Sequence, residues 1–371
     1  MPIWAVIVCD ILLAGVILLA FAFFHHVLPA MQSGQFEPVS WIGEKLGLGK
    51  VPEETLPPQT DAASVLPTEK AEPSETEDQT LPSQTEPPAT ELPPTEPPVD
   101  DRTEWQIKFA DKFKKEVVVT DNSYTSPEVS ITIDTVTVGE GNGQIVYHVA
   151  DVYVASLENF FTYTANNEMI YFGTQEVNSM IRDANAILAV SGDFLTYQKS
   201  GFMMRNGEIY VETSNGGNIC VLFEDGTMET YLARSYQLDE LKARNPVQVW
   251  SFGPPLLEAD GTACTSFSTS STVKQRNPRS AVGYYEPGHY CFIVVDGRQK
   301  GYSAGMTLGE LAKVFEGLGC TCAYNLDGGG SAVMLFNGES YSRQSNGGRD
   351  LGDILVISEA GYIIPGKEEA Q

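Results

Sequence analysis

Histidine is nearly missing from this chain. There are four in 371 residues, and two of them, His25 and His26, adjoin an apolar run near the start. Only His148 and His289 remain as bases for a Ser-His-Asp hydrolase. No Gly-x-Ser-x-Gly elbow accompanies them, so that class is a poor fit. Basic charge is also short: 23 Lys and Arg face 49 Asp and Glu, a formal charge of −26. Such a chain repels phosphate backbones and carries no basic stripe, which excludes nucleic acid as a partner. Six cysteines are present, five of them beyond residue 200, and none shows the paired Cys-x₂₋₄-Cys spacing of a structural zinc site. Buried free thiols are the expected state rather than a disulfide framework. Cys320 and Cys322 alternate along an expected strand and should face one side of it.

The acid that is present is unevenly spread. Residues 51–104 hold fourteen Asp and Glu against Lys70 and Arg102, a net of 2 − 14 = −12, and twelve of the 22 prolines. Repeats such as "TEPPATELPPTEPP" have too few large apolar groups to offset ordering entropy, so this stretch reads as a disordered stalk. Ahead of it, residues 3–24 form a 22-residue apolar run whose one charge is Asp10. A helix of that length crosses a bilayer core of about 30 Å. A cleaved signal peptide is the rival reading, with Ala20-Phe21-Ala22 as its site. No Lys or Arg precedes the run, and its length favours a retained anchor. The expected organisation is an anchor at 1–30, a juxtamembrane segment and stalk at 31–104, and a folded domain at 105–371 outside the cytoplasm.

Within the domain, alternation marks strands at 128–138 and 144–156, and apolar spacing marks a helix at 174–184. "AILAVSGDF" is an apolar strand that stops at Gly192-Asp193. "GFMMRNGEIYVE" reads as a hairpin closed at Asn206-Gly207. "HYCFIVVDGR" is a buried strand ending at Asp296-Gly297-Arg298. A capping box at Thr307 and Glu310 then opens a helix that Gly319 stops. "CTCAYNL" follows and ends at Asp327. Strand, helix and strand make a βαβ unit with parallel strands, whose carboxyl ends share the edge where open sheets bind ligands. The expected fold is α+β: mixed β-sheets covered by helices, with at least one parallel βαβ unit, behind a single transmembrane helix and a disordered stalk.

Three aspartates at three strand ends, Asp193, Asp296 and Asp327, turn "NLDGGGS" from a tight turn into a candidate site. Gly328, Gly329 and Gly330 would offer bare N–H groups to an anion, with Ser331 adding a hydroxyl. Arg279 and Arg298 would clamp phosphate or carboxylate by bidentate bonds. The stretch lacks the G-x₄-G-K-[ST] spacing of a P-loop. "RNGE", "FEDGT", "EADGT" and "FNGE" read as ordinary hairpin turns. No cofactor is required, although Asp296 and Asp327 could hold a divalent cation through hard oxygens.

The block from "NPRSAVG" through "VVDGR", "GMTLGELA" and "NLDGGGS" resembles the phosphodiester glycosidase domain family, the group of the lysosomal uncovering enzyme. "SGDF" at 191–194, "SFGPPLLEADG" at 251–261 and "GGRDLGDILVI" extend the resemblance to about 130–358, and the last piece brings in Arg349. Ser191 and Leu195 depart from the family's usual Asn and aromatic. The resemblance implies hydrolysis of a sugar-1-phosphodiester, here in a surface or exopolysaccharide glycan. Asp327 and Asp193 would be the carboxylate pair, and Asp296 the alternative to either or the positioner of an arginine. The competing reading is a non-catalytic cell-surface module that binds polysaccharide or assists its export.

Overall fold

The computed structural model describes residues 102–168, 173–194, 200–213 and 216–359. The anchor and nearly all of the stalk fall outside these residues. Among the described residues, seventeen strands, numbered in chain order, form three sheets. The first sheet runs β1 (Val118–Val119), β2 (Ser123–Thr125), β3 (Val129–Val138), β4 (Ile145–Val154), β13 (His289–Val295), β12 (Arg279–Glu286) and β14 (Cys322–Asn325). The second runs β10 (Met228–Tyr231), β9 (Ile219–Phe223), β11 (Pro246–Trp250), β7 (Phe202–Arg205) and β8 (Glu208–Glu212). The third runs β16 (Glu339–Ser340), β15 (Met334–Phe336), β6 (Leu188–Ser191), β17 (Asp353–Ile357) and β5 (Phe160–Thr164).

Each sheet turns one face to a shared core and covers the other with a helix. Along β13, Tyr290, Phe292 and Val294 join the shared core, while Cys291, Ile293 and Val295 face Leu308, Leu311, Ala312 and Phe315 of the helix Leu308–Leu318. Strands covered on both faces read as continuous apolar runs, which is why "CFIVV" shows no alternation. The third sheet pairs in the same way with Val177, Met180 and Ile181 of the helix Val177–Asp183, and the second with Leu241 of the helix Leu238–Lys242. Phe315 is fully buried, and a side chain so placed contributes about 1.5–3 kcal/mol.

The expected local signals are present. The Asn206-Gly207 hairpin has φ of 52° and 83°, as a primed turn requires. Thr307 and Glu310 make the reciprocal capping box, and Gly319 ends the helix at φ 80°. The helix near 174–184 is shorter than its apolar spacing, because Glu176 caps it with bonds to the N–H groups of Asn178 and Ser179.

Two readings need correction. β13 and β14 are parallel and joined through a helix, but they are not adjacent: β12 lies between them, antiparallel to both. The strand that precedes the unit fills its centre, so Asp296 and Asp327 share an edge without being neighbours. Cys320 and Cys322 do not share a side. Cys320 packs toward the helix and Cys322 toward the shared core. The strand begins only at Cys322, and the Cys320 N–H still closes the helix end on Phe315 O at 3.1 Å, so strand alternation does not reach it. The five described cysteines carry free thiols.

Candidate active site

Ends of strands from all three sheets meet at one point. β6 stops at Ser191 and delivers Asp193; β14 stops at Asn325 and delivers Asp327. β17 runs antiparallel to β6, with Ile354 opposite Ser191, so Asp353 at the start of β17 lies beside the end of β6. Backbone and hydroxyl bonds tie the ends together. Asp327 N–H donates to Gly192 O at 2.9 Å, Ser191 Oγ to Asp327 O at 3.0 Å, and Ser280 Oγ to Ser191 O at 3.1 Å. Gly192 is needed here. A Cβ at this position would stand 2.8 Å from Asp353 Oδ1 and 3.0 Å from its carbonyl oxygen, distances that real Cβ atoms do not adopt.

Between the sheets sits a buried group of three charges. Arg205, at the end of β7, donates from Nε and Nη2 to Asp353 Oδ2 at 3.1 and 3.0 Å, and from Nη2 to Asp193 Oδ2 at 3.1 Å. Its Nη1 donates to the carbonyls of Met204 and Val249. All three side chains are shut off from solvent. Asp193 Oδ2 also accepts the Ser251 N–H at 2.5 Å, and Asp353 Oδ1 accepts the Asp193 N–H at 2.9 Å. Asp193 Oδ1 is buried with no hydrogen-bond partner. Burial pushes the Asp353 carboxyl up to about 7, with Arg205 opposing and the Asp193 charge reinforcing the rise.

Asp327 has different company. Its Oδ2 accepts Ser331 Oγ at 2.6 Å and Arg349 Nη2 at 2.9 Å, while Arg349 Nε donates to Ser331 Oγ at 2.6 Å. Burial raises its pKa; the Ser331 and Arg349 bonds pull it down, and the charge of Asp193 adds to the rise. Asp193, Asp327, Asp353, Ser331 and Arg349 line one small cavity of about 40 Å³ together with Ser191. That is room for water or for the reacting end of a ligand.

Of Asp193, Asp296, Asp327, Arg279 and Arg298, expected to converge on one cleft, only the first and third line the cavity. Asp193 and Asp327 come together, and Arg349 joins them. Asp296 does not line the cavity. Its Oδ2 takes His148 Nε2 at 3.2 Å and the Tyr302 hydroxyl at 2.8 Å, and its Oδ1 takes the Arg343 N–H at 2.9 Å. Arg279 is not an open clamp either. It is buried and donates to the carbonyls of Met306, Val273 and Gln275, holding the loop before β12; burial and then the nearby Arg298 push it down to about 10. Arg298 is exposed, at a left-handed φ of 58°. Its Nη2 donates to Asn277 Oδ1 at 2.7 Å while the guanidinium passes over Gly329.

Of the three glycine N–H groups expected to face an anion, the middle one is taken within the protein. Gly329 N–H is used by Pro278 O at 2.9 Å, and Ser331 N–H by Gly328 O at 3.1 Å. A Cβ on Gly328 would come within 2.6 Å of Pro278 O. These glycines let the turn press on β12 and under Arg298, which holds Asp327 in place, and the Ser331 hydroxyl is spent on Asp327. Asp296, expected beside Asp327 as a possible cation ligand, does not line the cavity with it, and among the described residues no three His, Cys, Asp or Glu side chains are grouped to hold a metal.

Sequence reasoning missed Arg205, Ser251 and Asp353. Two signals were available. Arg205 is the one charge in "GFMMR", a strand of otherwise apolar residues. Asp353 opens the run "DILVI", and in an antiparallel sheet the start of a strand is as close to the neighbour's end as another strand end would be.

Comparison with known proteins bears on what the cavity is for. Residues 184–358 match the phosphodiester glycosidase family, a span that contains every residue lining the cavity except Thr174. The similarity to that family lies in this part of the chain. The SPbeta prophage-derived protein YomE of Bacillus subtilis (strain 168) is 30% identical over 198 residues, which are 51% of this chain and 31% of that protein. This chain therefore spans about a third of that relative's length. Among solved structures, the zebrafish N-acetylglucosamine-1-phosphodiester alpha-N-acetylglucosaminidase catalytic domain, auto-inhibited by its pro-peptide, superposes with a TM-score of 0.51 at 23% identity, covering 66% of this chain and 88% of that one. That likeness establishes a shared fold.

Proposed function

We infer that the domain is a hydrolase that cleaves a sugar-1-phosphodiester at the bond between the anomeric carbon and the phosphate oxygen. The observation that carries this reading is the pairing of Asp193 and Asp327 in one cavity, the first with an unpartnered oxygen and the second bound to an arginine. The chemistry suits the residues. Breaking the bond expels a phosphate monoester, a far better leaving group than an alkoxide, so a strong general acid matters less than positive charge near the departing oxygens. Arg349, with Arg298 beyond the glycine turn, supplies that charge. Asp193 Oδ1 takes the proton from a water whose oxygen bonds to the anomeric carbon, or attacks that carbon itself. The electron pair of the broken bond leaves on the phosphate oxygen.

The apolar run at 3–24 and the acidic stalk support a place for this reaction outside the cytoplasm, on a phosphorylated glycan at the cell surface. Protease added to intact cells should then release a soluble fragment beginning near residue 105; a fragment protected until lysis would contradict that placement. Activity is tested by incubating the protein with a panel of chromogenic sugar-1-phosphodiesters. Turnover of any of them supports the hydrolase. Binding of phosphorylated glycan without turnover supports the surface-binding module instead.

A further inference from the structure

The hydrolytic reading uses Asp193 and Asp327 and leaves Asp353 without a task. Yet Asp353 is among the most completely enclosed carboxyls in the domain, and Gly192 is a glycine so that it can approach. Two carboxyls share one guanidinium with no solvent access. With both ionised, the group would carry an uncompensated buried negative charge, which is strongly unfavourable. One proton held between the two carboxyls removes it. Asp193 Oδ2 already faces three donors, Arg205 Nη2, the Ser251 N–H and the Ser251 hydroxyl at 3.4 Å, whereas Asp353 Oδ2 faces Arg205 alone.

We propose that Asp353 is a positioning residue for Asp193: with Arg205 it fixes the Asp193 carboxyl so that its Oδ1 is left without a partner, and it carries the one proton of the group. This rests on the hydrolase reading for its catalytic part and not for its proton. The upward push on the Asp353 carboxyl agrees with the charge count. The charged groups around it are Asp193 and Arg205 in direct contact, and Asp327, Arg349 and Asp350 across the cavity. The Tyr324 hydroxyl and the Cys220 thiol, which sense the Asp193 charge, are pushed up by burial and stay neutral.

The sign of the pH effect follows. A carboxyl near its ordinary value of 3.8 when unfolded and about 7 when folded adds most to stability below pH 3.8, and that contribution is lost as the pH rises through 7. In this window each pH unit lowers the folded-to-unfolded ratio by up to about tenfold for this group. Asp353→Asn cannot titrate and resembles the protonated acid in shape and hydrogen bonding.

The experiment uses the full chain, with Asp353→Asn and Asp353→Ala beside the wild type. Unfolding is followed from pH 4 to 8 without substrate, and kcat and KM are measured at pH 6 on a sugar-1-phosphodiester that the wild type cleaves. The wild type should lose stability relative to Asp353→Asn between pH 4 and 7. Asp353→Ala should lose on the order of 100-fold in kcat and Asp353→Asn less than about tenfold, with KM within about threefold for both. Parallel stability profiles would overturn the proton assignment, even if no substrate were cleaved. A kcat loss in Asp353→Asn as deep as in Asp353→Ala would show that the charge is needed and overturn it too. If Asp353→Ala does not fold, the stability difference between wild type and Asp353→Asn still decides.

Discussion

Asp193 and Asp296 are alike in sequence and opposite in surroundings. Each follows a buried strand, each precedes or follows a glycine, and each is almost fully enclosed. Asp296 has both oxygens occupied, by His148, Tyr302 and the Arg343 N–H, and it ties Tyr302 and the Arg343 backbone to the first sheet. Asp193 has one oxygen saturated and the other bare. Satisfied buried polar groups hold structure, whereas a buried group with a spare acceptor is poised for something not yet bound. Enclosure alone therefore does not separate the two aspartates; the unfilled hydrogen-bond capacity does.

The contrast can be pressed at four points, in falling order of effect. Asp327→Asn should retain fold and ligand binding while losing 10²–10⁴-fold in turnover, about 3–5 kcal/mol of barrier, measured by hydrolysis of a sugar-1-phosphodiester beside a melting curve. Wild-type turnover in a normally melting Asp327→Asn would make it a turn residue. Arg205→Met should act on stability instead. It leaves two enclosed carboxyls without their cation, and denaturant titration should show a loss of about 3–5 kcal/mol at neutral pH, partly recovered as the pH falls and both take up protons. Gly192→Ala pushes a methyl onto Asp353 and should cost about 1–3 kcal/mol by the same titration, with turnover reduced because Asp193 moves with it. Arg298→Lys keeps a charge on an exposed side chain but loses the planar fork. Its effect should be a loss of a few-fold in kcat/KM, about 1 kcal/mol, and be smaller for aglycones that leave easily.

Much of this arrangement was legible in the chain. Alternation located β3 and β4, the capping box and Gly319 bounded the helix between β13 and β14, and aspartates at strand ends pointed to Asp193 and Asp327. What escaped was set by contacts between distant segments. The insertion of β12 between two parallel strands leaves no trace in local periodicity. Asp296 cannot be told from Asp193 without knowing that His148 and Tyr302 reach the first, and Arg205 the second. In the expected nest at Gly328–Gly330, the Gly329 N–H goes to Pro278, a partner about fifty residues away in sequence. Asp353 looks like the edge of a turn until the antiparallel pairing of β6 with β17 sets it beside Asp193, and Arg205 reaches both from another sheet.

The comparison between the two aspartates also yields the most direct test of the central claim, that the cavity between β6, β14 and β17 is where chemistry occurs. Asp193→Asn and Asp296→Asn are compared in one assay of sugar-1-phosphodiester hydrolysis, with rates divided by the folded fraction read from the melting curve of each. Catalysis at the cavity predicts a loss of at least about 100-fold for Asp193→Asn, and for Asp296→Asn a lower melting temperature with the rate per folded molecule within about tenfold of wild type. Equal losses in the two variants, or a deeper loss at Asp296, would contradict it.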